Sequence, residues 1–87
     1  MLKVIVVDDE VLVRIGIISC ICWEEYGFEI VGQAEDGEKA IELIENLKPD
    51  IVITDIKMPK KDGLELIKYI HDNHSEIKAI VLSCYND

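Results

Sequence analysis

Two apolar periods alternate along the chain. Residues 2–7, LKVIVV, are an apolar run rich in β-branched residues and interrupted only by Lys3, and they predict a buried strand. Residues 11–23 then place Val11, Ile15, Ile18 and Cys22 at helical spacing. Ile17 and Ile21 widen that stripe, so the first helix is apolar on more than one side. Gly27 marks a break before a second strand over 28–34. Asp36-Gly37 is a turn with Asp36 as N-cap, and a second helix over 38–47 buries Ala40, Ile41, Ile44 and Leu47. Pro49 separates it from a third strand over 51–54. Asp62 and Glu65 have capping-box spacing. They open a third helix over 63–73, with Leu64, Ile67 and Ile70 inward, and residues 77–82 form a fourth strand.

Strands separated by helices imply right-handed crossovers and a parallel sheet covered on both faces, an α/β fold. Without an internal repeat or linker, residues 1–87 read as one domain. The last residues change the picture. Asn86-Asp87 is helix-start chemistry with no helix after it, strand four would be an open edge, and one face of the first helix would lack a cover. The pattern reads as a domain truncated after strand four.

Carboxylates stand where core strands surface. Asp8, Asp9 and Glu10 follow strand one, and Asp55 follows strand three. In a parallel sheet all strand C-terminal ends lie on one edge, where ligands bind. If strands one and three are neighbours, three carboxylates converge, and unit charges about 4 Å apart repel by ~4 kcal/mol at an effective dielectric of 20. A divalent cation relieves this, and hard oxygen ligands that keep several waters suit Mg2+. A carboxylate beside such an ion can act as nucleophile and form an aspartyl-phosphate, with Ser83, at the end of strand four, donating to a phosphoryl oxygen. The pattern alone leaves the bland alternative open: acids after a strand also serve as helix N-terminal residues favoured by the dipole, the reading preferred for Glu10. Lys57, Lys60 and Lys61 read as solvated loop charges, His71 and His74 as cations favoured at a helix C-terminus, and Trp23 and Tyr26 as packing residues.

Composition narrows the partners. The chain is 49% hydrophobic, enough for a core, and its net charge of -9 argues against direct nucleic-acid binding by this segment, because phosphates need Lys/Arg patches. No apolar stretch reaches the ~20 residues of a membrane span, and the N-terminal strand, interrupted by Lys3, is too short for a signal peptide, so a cytoplasmic protein is expected. Cys20, Cys22 and Cys84, an odd number, read as reduced thiols. A dinucleotide site is disfavoured: acids, not a Gly-rich turn, follow strand one.

"VIVVDDE", "PDIVITDIKMPKKDGLELI" and "IKAIVLSCYND" resemble the receiver domains of bacterial two-component response regulators, over all 87 residues. The stretches "CWEEYGFEIVGQAEDGEKAIELI" and "LSCYND" are most similar to receivers that precede an AraC-type helix-turn-helix output domain. The resemblance implies a flavodoxin-like (βα)5 fold with strand order 2-1-3-4-5. It implies that Asp55 is the phosphoacceptor, charged by a sensor histidine kinase. It places Asp9 and Asp55 directly on Mg2+, Asp8 through water, and the backbone carbonyl of Lys57 as a further ligand. Ser83 becomes the switch hydroxyl. A complete receiver continues through a fourth helix, a fifth strand and a fifth helix, which carry a phosphoryl-pairing Lys, the switch aromatic and the usual dimer face. The expectation is therefore an incomplete receiver whose bare edges can pair with another copy.

Two other functions compete. One is a degenerate receiver that binds protein partners without phosphotransfer. The other is a phosphatase of the haloacid dehalogenase type, which usually carries a second acid two residues after its nucleophile; that position here is Lys57.

Overall fold

The computed structural model describes residues 1–56 and 62–82. Strands β1 (Leu2–Val7), β2 (Phe28–Ala34), β3 (Ile51–Asp55) and β4 (Lys78–Leu82) alternate with helices α1 (Val11–Ser19), α2 (Gly37–Leu47) and α3 (Gly63–Asn73). All pairings are parallel, in the order β2-β1-β3-β4. This matches the first four strands that the resemblance implied.

Alternation along β1 sorts the core. Ile5 and Val7 join Val52, Ala34, Ala40, Ile44, Leu66, Ile70 and Ile77 in one cluster under α2 and α3. Val4 and Val6, equally buried, point to the opposite face, where α1 lies against β1. β2 carries one extra residue opposite β1 between Val4 and Ile5, a bulge that brings Gly32 against Ile5, Leu43 and Leu47.

Local chemistry sets the helix starts. The Asp36 Oδ1 accepts from the Lys39 N–H, as the turn predicted. At α3, Asp62 Oδ1 accepts from the Glu65 N–H and Glu65 Oε1 accepts from the Asp62 N–H, completing the capping box. The inward face of α3 differs from the sequence reading. Gly63, Leu66 and Ile70 are buried, whereas Leu64 is 61% exposed. The reason is the tight seating of Gly63, which puts positions three and seven residues later against the sheet.

The first helix also differs: it ends at Ser19, not Trp23. The Trp23 indole N–H donates to the Ile18 carbonyl, and residues Trp23–Tyr26 form a short 3-10 turn. Gly27, at φ 85, then turns the chain into β2. Trp23 packs edge-to-face on Phe28, but Tyr26 is 70% exposed and is not a packing residue. Val11, Leu12 and Ile15 on α1 and Ile80, Val81 and Leu82 on β4 are exposed, so the sequence's forecast of uncovered apolar faces holds for the described residues.

Helices α2 and α3 are clasped at their C-terminal ends. Glu45 Oε2 accepts from the Tyr69 hydroxyl and bonds His74 Nε2 at 2.7 Å. Those two partners, Tyr69 first, hold the Glu45 carboxyl below its usual range. His74 thus serves a cross-helix contact, and His71 lies exposed in the last turn of α3.

Lys48 ends α2 in the left-handed region, at φ 50 and ψ 60, a conformation that costs a side-chain-bearing residue about 1 kcal/mol or more. Lys48→Gly is expected to raise the free energy of unfolding by about 0.5–1 kcal/mol, seen as a melting temperature several degrees higher. An unchanged or lower midpoint would show that this residue carries no such strain.

Candidate functional site

The sheet reverses winding direction between β1 and β3: the chain moves from β1 outward to β2, then crosses to β3 and onward to β4. Such a switch point opens a crevice at the strand C-terminal ends. The register there pairs Val7 with Thr54, so Asp8 and Asp55 leave the sheet side by side.

Asp8 is 4% exposed. Its backbone N–H donates to the Ala34 carbonyl, and its Oδ1 accepts from the Glu10 N–H at 2.9 Å. The second bond turns the chain into α1, whose N-cap Glu10 uses its carbonyl, not its side chain. Asp9 is exposed and Asp55 half-buried. One carboxylate oxygen from each of Asp8, Asp9 and Asp55 lies within 4.8 Å of the others.

The Asp55 end is built tightly. Its Oδ1 accepts from the Ile56 N–H at 2.7 Å, and its carbonyl accepts from the buried Thr54 hydroxyl at 2.8 Å. The Gly63 N–H donates to the Ile56 carbonyl at 2.6 Å. A Cβ on Gly63 would collide with the Asp55 carbonyl oxygen and come within 2.7 Å of the Ile56 Cα. Only glycine lets the start of α3 come this close to the end of β3.

Sequence reasoning missed one contributor. The Arg14 guanidinium donates to the Asp8 carbonyl at 2.6 Å and to Gln33 Oε1 at 3.0 Å, tying α1 to the ends of β1 and β2. Its signal was visible: Arg14 is the one basic residue in an otherwise apolar α1, one turn after the acidic run.

Burial holds the Asp8 carboxyl above its ordinary value of 3.8. The Asp55 and Asp9 carboxylates push it the same way, and the Glu10 N–H partly opposes them. Two unit charges 4.8 Å apart repel by about 3.5 kcal/mol at an effective dielectric of 20 and by under about 1 kcal/mol in bulk water. The donors are hard oxygens, and the exposed Asp9 leaves the cluster open to solvent. That set fits a small divalent ion that retains waters. Lys57 and Ser83, the other two predicted site residues, lie outside the described residues, as does Cys84; Cys20 and Cys22 are exposed free thiols.

Residues 4–87 match the response regulator receiver domain. The chain belongs to this family. A response regulatory protein of Staphylococcus epidermidis is 45% identical to this receiver over 87 residues, the whole of this chain and 34% of the relative. A two-component transcriptional regulator AraC from Clostridium phytofermentans superposes with a TM-score of 0.90 at 37% identity, covering 100% of the receiver and 67% of the solved chain. A chain of the CheX–CheY–BeF3–Mg2+ complex from Borrelia burgdorferi superposes at 0.86 with 31% identity, covering 99% of the receiver and 64% of that chain. The receiver thus spans about a third of the length of the curated relatives it matches. Its fold is the flavodoxin-like receiver fold, its family is one of phosphoaccepting signalling domains that interact with histidine kinases, and an aspartate cluster of the kind that binds Mg2+ is present. Among the described residues no helix is long and apolar enough to cross a membrane.

The Asp8 shift has a definite sign. A carboxyl raised in the native state holds its proton to higher pH than in the unfolded chain, so its contribution to stability is lost as pH rises above 3.8. Asp8→Asn keeps the Oδ1 acceptor for Glu10 and removes the charge. In cation-free buffer at pH 7 it is expected to raise the unfolding free energy by about 1 kcal/mol. Urea titrations over a pH series should show that gain shrinking as pH is lowered toward 3.8; a constant difference would contradict the assigned cause.

Proposed function

We propose that this chain is the phosphoaccepting receiver of a cytoplasmic two-component system, in which Asp55 takes a phosphoryl group from a sensor histidine kinase. The observation that supports it is the convergence of the Asp8, Asp9 and Asp55 oxygens within 4.8 Å at the β1/β3 switch point. In the transfer an Asp55 carboxylate oxygen attacks the phosphorus of a phosphohistidine. The P–N bond breaks, and the leaving imidazole takes a proton from solvent. The receiver itself catalyses this step by positioning. The Ile56 N–H holds one Asp55 oxygen, and Gly63 and Thr54 fix the backbone beneath it.

Asp9 and Asp55 would ligate Mg2+ directly, Asp8 would act through water, and the Lys57 carbonyl would complete the protein ligands. When bound, the ion neutralises charge on the transferring phosphoryl group. Ser83 would donate to a phosphoryl oxygen as the switch hydroxyl. The Borrelia complex, with its BeF3 and Mg2+, supports this reading by likeness. The likeness to the AraC regulator supports control of a DNA-binding output domain, with no direct nucleic-acid contact by this acidic segment. Self-association would run through the exposed apolar faces of α1 and β4.

Incubation with acetyl phosphate and Mg2+ is expected to add the mass of one phosphoryl group to the intact chain, and Asp55→Asn should abolish the adduct. Mg2+ at ten times its dissociation constant should also stabilise the fold by about 1.4 kcal/mol. Asp9→Ala should lose that gain. An adduct that survives Asp55→Asn overturns the acceptor assignment, and a thermal shift that survives Asp9→Ala overturns the ligand set.

A further inference from the structure

At the opposite end of the sheet lies a second acidic feature of different character. The N-terminal end of β2, the outer strand of the described sheet, borders an open cavity of about 570 Å³. Trp23, Phe28 and Ile30 supply apolar surface, and Glu24, Glu25 and Glu29 supply three exposed carboxylates. No basic residue is among the cavity's described lining. A second recess of about 310 Å³ shares Trp23 and Phe28 and adds Ile21 and the exposed Tyr26. The two recesses thus meet at one T-shaped aromatic pair, with ring centroids 6.2 Å apart.

This surface has a chemical complement. Aromatic rings attract guanidinium and ammonium groups, and carboxylates at the rim add Coulomb attraction and hydrogen-bond acceptors. The apolar recess accepts the stem or the neighbouring apolar side chain of a long basic residue. A net charge of -9 repels an acidic occupant and steers a basic one.

We propose that the Trp23–Phe28 groove docks an extended, arginine- or lysine-bearing segment of a partner protein. Phe28 pairs with Leu2, at the start of β1, whereas Asp8 follows its end, roughly 20 Å further along the strand. An occupant of the groove therefore leaves the aspartate cluster open, and its binding does not depend on Asp55.

Trp23 is the only tryptophan, so its emission reports the groove directly. The full chain is titrated with a six-residue synthetic probe alternating arginine with isoleucine, and with a control carrying glutamate in place of arginine. Saturable change is expected with the arginine probe only. A triple Glu24→Gln, Glu25→Gln, Glu29→Gln variant should bind it at least about tenfold more weakly, or ~1.4 kcal/mol. A triple Glu35→Gln, Glu38→Gln, Glu42→Gln variant loses the same charge from exposed positions on and just before α2. It should bind like the parent, as should Asp55→Asn. Equal weakening by the two triple variants would reduce the effect to overall charge and overturn the proposal. So would equal response to the glutamate probe, or no response to the arginine probe.

Discussion

The in-register pairing of β1 with β3 is the constraint on which the site depends. Val4 to Val7 stand opposite Ile51 to Thr54, and all eight are buried or nearly so. A slip of one residue in β1 would exchange Ile5 and Val7 for Val4 and Val6 in the cluster under α2 and α3 and carry Asp8 out of line with Asp55. The hydrophobic core therefore fixes where both strands end, and it holds Asp8 and Asp55 together although their charges repel. Repulsion of a few kcal/mol is tolerable because it is set against the burial of a whole strand pair. The carboxylates sit where they do because the paired apolar residues before them end together.

A second constraint acts from the far side of Asp55. The capping box fixes where α3 begins, and the missing side chain of Gly63 lets that beginning press on the Asp55 carbonyl. Leu66 and Ile70 then enter the core from the same face of the helix. Helix capping, core packing and the backbone beneath Asp55 are thus one mechanical unit. On the other flank, Arg14 does similar work for Asp8, bonding its carbonyl and not the carboxylate, whose Oδ1 accepts from the Glu10 N–H. Both supports grip backbone, so neither competes with the oxygens that face the crevice.

Much of this was legible in the residues. β1, buried on both faces, advertises itself by composition alone, and the partly buried β2 starts at the break that Gly27 marks. Asp36 and Asp62 act as the caps their spacing foretold. The convergence of Asp8, Asp9 and Asp55 followed from topology, since a parallel sheet gathers its C-terminal ends. The failures have physical causes. The apolar stripe of α1 continues to Cys22, but the Trp23 indole takes the Ile18 carbonyl and the helix stops at Ser19. Periodicity cannot see a side chain that terminates a helix. Leu64 and Leu66 both fit an amphipathic pattern, and only the close approach of Gly63 decides between them. Arg14 escaped because a basic residue on an apolar helix reads as a solvated charge until its acceptors are known.

The two acidic regions show why charge count alone does not assign a partner. At the C-terminal edge of the sheet, three carboxylates converge within 4.8 Å, and one of them is buried. Space so small, walled by hard oxygens, suits a compact doubly charged ion that keeps part of its water shell. Around Trp23 the carboxylates are all exposed and stand about an open aromatic recess of several hundred Å³. A small ion there would gain little, because water already solvates each carboxylate. A large, weakly hydrated guanidinium gains from the ring and from the rim together. The spacing of the acids, and the surface between them, separates a cluster suited to an ion from a groove suited to a basic segment on the same negatively charged molecule.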